Sequence, residues 1–340
     1  MKGLTPIIKL TCVMEKPRTL AKGRDVNSNV SLFTNKKFAW MGAAFCCLLW
    51  GSAYPAIKNG YEIFQIATDD LPGKIVFAGY RFVIAGLLLL AFAFLQGKPI
   101  ARLSRHQYSQ LAVLGVTQTA LQYIFFYIGL AYTTGVKGSI MNATGTFFSV
   151  LLAHFIYQND KLSINKVVGC VLGFAGVMVV NFNSQLMDFS FSWMGDGFVV
   201  LAAFILSAAS LYGKRISQTT DPTVMTGWQL GIGGVVLTLG GYACGGALEF
   251  HGWESAAILG YLALLSSVAF ALWSLLLKHN RVGMIAPFNF LIPVSGAVLS
   301  SIFLQESILE WRYAIALVLV CFGIWRVNVV RGGMVLDIDN

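Results

Sequence analysis

Tyr80-Arg81-Phe82-Val83-Ile84-Ala85-Gly86-Leu87-Leu88-Leu89 and Trp228-Gln229-Leu230-Gly231-Ile232-Gly233-Gly234-Val235-Val236-Leu237 correspond in kind at an offset of 148 residues, from Arg81 to Gln229. Each is an aromatic residue, then a polar or charged one, then an apolar run threaded with small residues. The correspondence extends in both directions. Tyr127 falls on Trp273 at an offset of 146, and Gly176 on Gly323 and Asn181 on Asn328 at 147. Around the latter pairs Val171-Leu-Gly-Phe-Ala-Gly-Val-Met matches Val318-Leu-Val-Cys-Phe-Gly-Ile-Trp. At the start, Trp50 falls on Ser207 at 157, so the first copy carries about nine extra residues in its first loop, around Asp69-Asp70-Leu71-Pro72-Gly73. Individual identities are weak, but a regular offset over such a length is the signature of an internal repeat.

What repeats is membrane-spanning. The 340 residues are 56% hydrophobic and only 11% charged, with mean hydropathy +0.70, against about 45–50% apolar and about 25% charged in soluble domains. A hydrocarbon core of about 30 Å takes about 20 apolar residues per helix. Ten such runs stand at about 38–57, 74–96, 108–131, 136–157, 165–182, 193–213, 223–247, 254–277, 283–304 and 312–330. Polar or turn-rich joints such as Gln96-Gly-Lys-Pro, Gln158-Asn-Asp-Lys and Thr220-Asp-Pro separate them, which leaves no room for a second soluble domain. The expected fold is an all-α integral membrane protein of ten transmembrane helices. Its expected divisions are a flexible basic tail (1–37), a first repeat (38–182), a second (193–330) and a short C-terminal tail (331–340). Five spans is an odd number, so the second copy enters the membrane upside down, the inverted-repeat arrangement of many secondary transporters, whose substrate sites lie near the midplane between the copies.

The net charge of +9 is topological. Of the 24 Lys and Arg, 19 fall on one side of the ten spans, eight of them within the first 37 residues, and four (Lys58, Lys74, Lys137, Arg312) on the other; Arg81 lies inside a span. Both termini are therefore expected in the cytoplasm and the protein in the cell membrane. Nucleic acid is not an expected partner, since that needs a clustered basic face on a folded domain. The apolar patch Ile7 to Val13 is interrupted by Lys9 and too short for a signal-peptide core. Met14 offers a second start, with the first thirteen residues as an extension ahead of it. Five of the six cysteines lie in apolar runs with no CxxC or zinc spacing, so they read as small buried apolar residues; no metal or other cofactor is expected.

Several of these strings resemble a known family. Leu48-Leu49-Trp50-Gly51-Ser52-Ala53-Tyr54-Pro55-Ala56-Ile57-Lys58, Tyr80-Arg81-Phe82, Phe126-Tyr127 with Leu130-Ala131-Tyr132-Thr133, and Leu304-Gln305-Glu306-Ser307 before a glycine-containing tenth span are similar to EamA-type permeases of the drug/metabolite transporter superfamily. The resemblance covers about residues 38–330. It implies a ten-helix transporter of small metabolites, often an exporter of amino acids or related solutes, with a central cavity. Two departures stand out. The proline common in the middle of span four is replaced by Asn142-Ala-Thr144-Gly-Thr146, although Pro293 stands at the matching place in span nine, and the acid after span four is Asp160, out of register with Glu306.

Candidate cavity residues follow from polarity at membrane depth. Trp50, Ser52 and Tyr54 surround Gly51 and Pro55 in span one, and Phe288 and Asn289 lie between Pro287 and Pro293 in span nine. These are either helix interruptions, which free backbone groups for a ligand, or simple packing and helix-end features. Gln118 and Gln122, four apart on one face of span three with Tyr123 and Tyr127, either line a cavity or bond between helices. Asn142 and Thr146 on span four, Ser207 and Ser210 on span six and Trp273 on span eight complete the set. Arg81, about two turns from the outer end of span two, is either an anchor for an anion such as a substrate carboxylate or a snorkelling side chain paired with Asp69 or Asp70. His154 reads as a packed residue rather than a proton carrier, and Asp196 and Glu306 as interfacial.

The partner implied is a small-molecule solute within the lipid bilayer, with an apolar or aromatic part and a zwitterionic head. No acidic residue occupies a span centre, so facilitated diffusion or exchange stands beside proton antiport. An integral membrane enzyme would need acids or histidines clustered with acid/base or metal spacing, and none are; the chain is not expected to be an enzyme. A non-transporting scaffold or receptor is the alternative. The glycines of span seven, with Gly169 and Gly173 on span five, favour tight helix contacts and a homodimer.

Overall fold

The structure is a computed structural model and describes residues 32–133, 135–182, 191–303 and 311–329. The basic tail through residue 31, the Leu304-Gln305-Glu306-Ser307 string and the C-terminal tail lie outside the described residues. Ten apolar helices are present among those described, eight long enough to cross a membrane and two shorter. They are α1 (Lys36–Ile63), α2 (Leu71–Leu95), α3 (Arg105–Ala131), α4a (Gly135–Ala143), α4b (Gly145–Ile156), α5 (Ile164–Val180), α6 (Trp193–Ile216), α7 (Pro222–Ala243), α8 (Gly252–His279), α9a (Val282–Ile285), α9b (Leu291–Phe303) and α10 (Trp311–Asn328), so that α4 and α9 are each counted once as a broken helix. Their lipid-facing sides are apolar and exposed: Leu87, Phe92 and Leu95 on α2, Val318 and Phe322 on α10. Trp193, Trp253 and Trp311, each more than 70% exposed, start α6, α8 and α10 at the end opposite the basic joints, as an interfacial aromatic belt does.

Local chemistry sets the ends. Asp70 caps α2, accepting from the Gly73 amide at 2.8 Å with Pro72 in the first turn, and Asp221 caps α7 through the amides of Thr223 (2.9 Å) and Val224 with Pro222 at the first position. Each supplies an acceptor to free amides and a proline where no amide is needed. The same device thus opens both members of the repeat pair. Asp70 is consumed in this cap, so the alternative pairing of Arg81 with Asp70 is not made.

The repeat is visible in packing. α2 lies along α7, and α5 along α10, each helix against its counterpart from the other copy. Glycines set both contacts: a Cβ at Gly86 would meet the Gly231 amide at 2.5 Å, and one at Gly169 the Gly323 carbonyl at 2.5 Å. Gly233 likewise packs on Thr119 and Gly115, and Gly173 on the Phe290 ring. Most of the glycines that favoured a homodimer are therefore spent inside the chain and offer no face to a second copy.

Helix continuity departs from the sequence reading at Pro55, and two further irregularities had no sequence signal. Pro55 neither ends nor interrupts α1, which runs on to Ile63; Pro55 leaves the Gly51 carbonyl without its helical donor, and Gly51 admits Ser295 and Gly296 of α9b at close range. Span four breaks without a proline, at Thr144 between α4a and α4b, where the Thr144 hydroxyl donates back to the Met141 carbonyl at 2.5 Å. Span three carries an unforeseen π-turn over Gly115–Leu121. In span nine the expected interruption is a 3₁₀ turn, Ala286–Phe290, between α9a and α9b.

Candidate functional site

One cavity of about 320 Å³ runs through the middle of the bundle, within the size range of small-molecule sites. Its walls come from α1, α3, α4, α6, α8 and α9, with Arg81 from α2 and Met225 from α7; the α5–α10 pair contributes nothing and stands as scaffold. Along α1 the lining runs from Trp50 to Tyr61, about 16 Å at 1.5 Å per residue.

Repeat-related residues meet here. Trp50 and Ser207, Tyr127 and Trp273, and Asn142 and Asn289 all line the cavity, the last pair on the two broken helices. Arg81 has no such partner, because its counterpart Gln229 is buried in α7 away from the cavity. Trp50 packs edge-on against Trp273 (ring centroids 5.2 Å apart) and Phe270 (5.3 Å), so these three form one aromatic patch of the lining, and Phe270 rests on the buried Phe82 behind it (6.2 Å). Amides and hydroxyls line the cavity as well. Gln118 donates to the Ser210 hydroxyl at 3.3 Å, so it both lines the cavity and bonds between helices. The Ser207 hydroxyl lies 2.8 Å from the Gly145 carbonyl at the α4 break. Gln122 Oε1 and Thr146 Oγ1 are buried without any hydrogen-bond partner. Buried polar atoms are nearly always satisfied, and these two orphans belong to residues that line the cavity.

Arg81 is 3% exposed. Its Nε donates to the Ser266 hydroxyl at 2.7 Å and its guanidinium carbon lies 5.0 Å from the Phe82 ring centroid. It makes no ion pair among the described residues. At the other end of the cavity is a residue that charge counting assigned to topology alone: Lys214 lines the basic end, its ammonium donating to the carbonyls of Leu277 and Asn280 at the C-terminus of α8 and lying 5.6 Å from the centre of the Tyr157 ring. Its only warning in the sequence was the hydroxyl-rich, glycine-punctuated face (Ser207, Ser210, Gly213) one turn apart that leads to it. Tyr61, Phe270, Ser139, Ser149 and Ser274 also line the cavity and went unnamed.

Thirteen of the fifteen candidate residues line this cavity: Trp50, Tyr54, Arg81, Gln118, Gln122, Tyr123, Tyr127, Asn142, Thr146, Ser207, Ser210, Trp273 and Asn289. Ser52 and Phe288 do not. Ser52 points to the far side of α1, donating to the Leu49 carbonyl and pairing with the Tyr261 hydroxyl, both at 2.8 Å. Phe288 is packed in the apolar core. Ser52→Ala is accordingly expected to leave vesicle solute flux at the wild-type level.

The other singled-out polar groups are structural. His154 is buried and accepts the Leu162 amide on Nδ1 at 3.0 Å, a satisfied packing residue. Asp196, expected at the interface, is 2% exposed and joins the amide of Ser192 to the hydroxyl of Thr133, tying the start of α6 to the α3–α4 joint. Ser267 ties α8 to the Ala85 carbonyl of α2.

The profile of the EamA-like transporter family matches residues 37–182 and again 193–329, five helices each time. The chain belongs to the EamA-like transporter family. Among similar proteins, an uncharacterized transporter of Archaeoglobus fulgidus is 26% identical over 77% of this chain and 88% of its own length. The WAT1-related protein At3g02690 of Arabidopsis thaliana, described as chloroplastic, is 25% identical over 76% of this chain and 62% of its own. The uncharacterized transporter YvbV of Bacillus subtilis is 26% identical over 77% and 83%. A solved crystal structure shares the fold with a TM-score of 0.71, covering 88% of this chain and 96% of the other at 17% identity. This EamA-like chain is thus a multi-pass membrane protein of a transporter family.

Proposed function

We propose that this chain is a secondary transporter of the cell membrane that exports small amphipathic metabolites, amino acids or related solutes, by alternating access between its two inverted halves, with both termini in the cytoplasm. One observation carries the reading: the cavity sits between the halves and is lined by Asn142 and Asn289 at corresponding breaks in α4 and α9. Discontinuous helices at matching places in two repeats are where transporters bind substrate near the midplane. The orphaned Gln122 and Thr146 acceptors supply polar contacts, and the Trp50–Trp273–Phe270 wall supplies an apolar one.

Purified protein in solute-loaded vesicles tests this. Gln122→Ala and Asn142→Ala should each cut flux about tenfold or more while the protein stays folded. Unchanged flux in both variants removes the site assignment. Absence of flux in the unmutated protein across an amino-acid and metabolite panel removes the transport reading in favour of a scaffold or receptor.

A further inference from the structure

The cavity holds a positive charge that no carboxylate among the described residues answers. Two cations line it. Lys214 is accounted for: two carbonyls at a helix C-terminus, where the helix dipole favours a cation, hold its ammonium, and a tyrosine ring lies beneath it. Arg81 is not. Its Nε takes the Ser266 hydroxyl, which in turn donates to the Leu262 carbonyl at 2.7 Å. Its two terminal nitrogens have no hydrogen-bond partner among the described residues, and the side chain opens onto the cavity. No Asp or Glu lines the cavity among the described residues. A guanidinium buried at membrane depth is costly without a partner, and its two free nitrogens form the planar fork that grips a carboxylate by two parallel hydrogen bonds.

The geometry points to Arg81 as the anchor of an organic carboxylate anion whose body lies along the aromatic wall. The guanidinium rests on Phe82, which is fully buried and packs against Phe270; Phe270, Trp50 and Trp273 pack together and line the cavity, so the aromatic lining starts one ring from the anchor. Charge then ranks ligands with the same body. A monoanion neutralises Arg81. A zwitterion adds no net charge, so beside Lys214 the charge of Arg81 stays unbalanced. An amine adds a further positive charge. In a low-dielectric cavity each uncompensated charge is expensive, so the order is anion, zwitterion, amine. This narrows the solute class of the transport reading and rests on that reading for its physiological role.

Matched probes test it by binding. The full chain, purified in detergent, is titrated with 3-phenylpropanoate, phenylalanine and 2-phenylethylamine, and with the aliphatic set 4-methylpentanoate, leucine and 3-methylbutylamine, reading thermal stabilisation and calorimetric affinity. The anion of at least one set is expected to bind about tenfold or more tightly than its zwitterion, and the amines not at all. Arg81→Gln should abolish anion binding, and Arg81→Lys should retain part of it. Because the unliganded charge is uncompensated, Arg81→Gln should melt no lower than the unliganded parent; a purely structural arginine would give a lower melting temperature instead. Binding of a zwitterion as tight as its anion, binding of neither anion, or anion binding that survives Arg81→Gln overturns the proposal. A protein that binds the anion but moves no solute in vesicles loses the transport reading and keeps this site.

Discussion

Gly234→Leu is expected to remove the folded, monodisperse protein. A Cβ at Gly234 would stand 2.6 Å from the Val83 amide nitrogen, 2.9 Å from the Gly79 carbonyl oxygen and 2.9 Å from the Phe82 carbonyl carbon, all backbone atoms of α2. Backbone cannot step aside as a side chain can. The facing residues are equally tight, since a Cβ at Gly79 would meet the Thr238 amide at 2.6 Å and one at Gly86 the Gly227 carbonyl at 2.7 Å. Overpacking of a well-filled core costs about 1–3 kcal/mol where side chains absorb it; here two helices must separate along their length, and they are one of the two pairs that set a helix against its counterpart in the other copy of the repeat. The control is Gly240→Ala on the same helix, whose Cβ would meet nothing within 4 Å. Size-exclusion chromatography of a fluorescent fusion should show the wild-type peak for Gly240→Ala and its loss for Gly234→Leu. A Gly234→Leu protein as abundant and heat-resistant as the parent would refute the helix pairing.

Asp160→Ala is the second large effect. Asp160 is 1% exposed; its Oδ1 accepts from the Lys166 ammonium at 2.7 Å and its Oδ2 from the Gly283 amide at 2.8 Å. The carboxylate sits in the joint after α4b and holds the first turn of α9a, so it fastens the basic end of one repeat to the broken helix of the other. Removing it strands the Gly283 amide and leaves the mostly buried Lys166 ammonium without a counter-charge, held only by the Asp160 and Lys161 carbonyls, and breaking such a buried pair costs roughly 3–5 kcal/mol. Asp160→Asn keeps an acceptor for Gly283 and loses the ion pair, so it should fall between Asp160→Ala and wild type. Thermal melts of the three purified proteins check the order; an Asp160→Ala melt indistinguishable from wild type would count against this latch.

The misplaced residues share a cause. Ser52 lies between Trp50 and Tyr54 in a string that reads as one motif, but successive residues of a helix point about 100° apart, and only the position of α8 with Tyr261 decides that the serine faces away. Lys214 sits one residue beyond the apolar run assigned to span six; its fate depends on the carbonyl ends of α8, more than sixty residues on. Both readings offered for Gln118 hold at once, since a side chain with two donors and an acceptor can bond Ser210 and still face a cavity. Thr144 breaks span four with no proline to announce it. The symmetric readings fared differently: Asn142 and Asn289 were named from local polarity alone, and the fold sets them on one cavity through the repeat.

Ten apolar helices in two five-helix copies, the odd count from which inversion of the second is expected and the basic bias of alternate joints are properties of composition along the chain, because the bilayer imposes length and polarity on each segment separately. Tertiary structure alone decided where the helices break, which glycines are consumed between α2 and α7, and that Arg81 meets no carboxylate among the described residues while Asp70 caps a helix. Each of these depends on which distant groups come within about 3 Å, and that distance is set by packing between segments far apart in sequence.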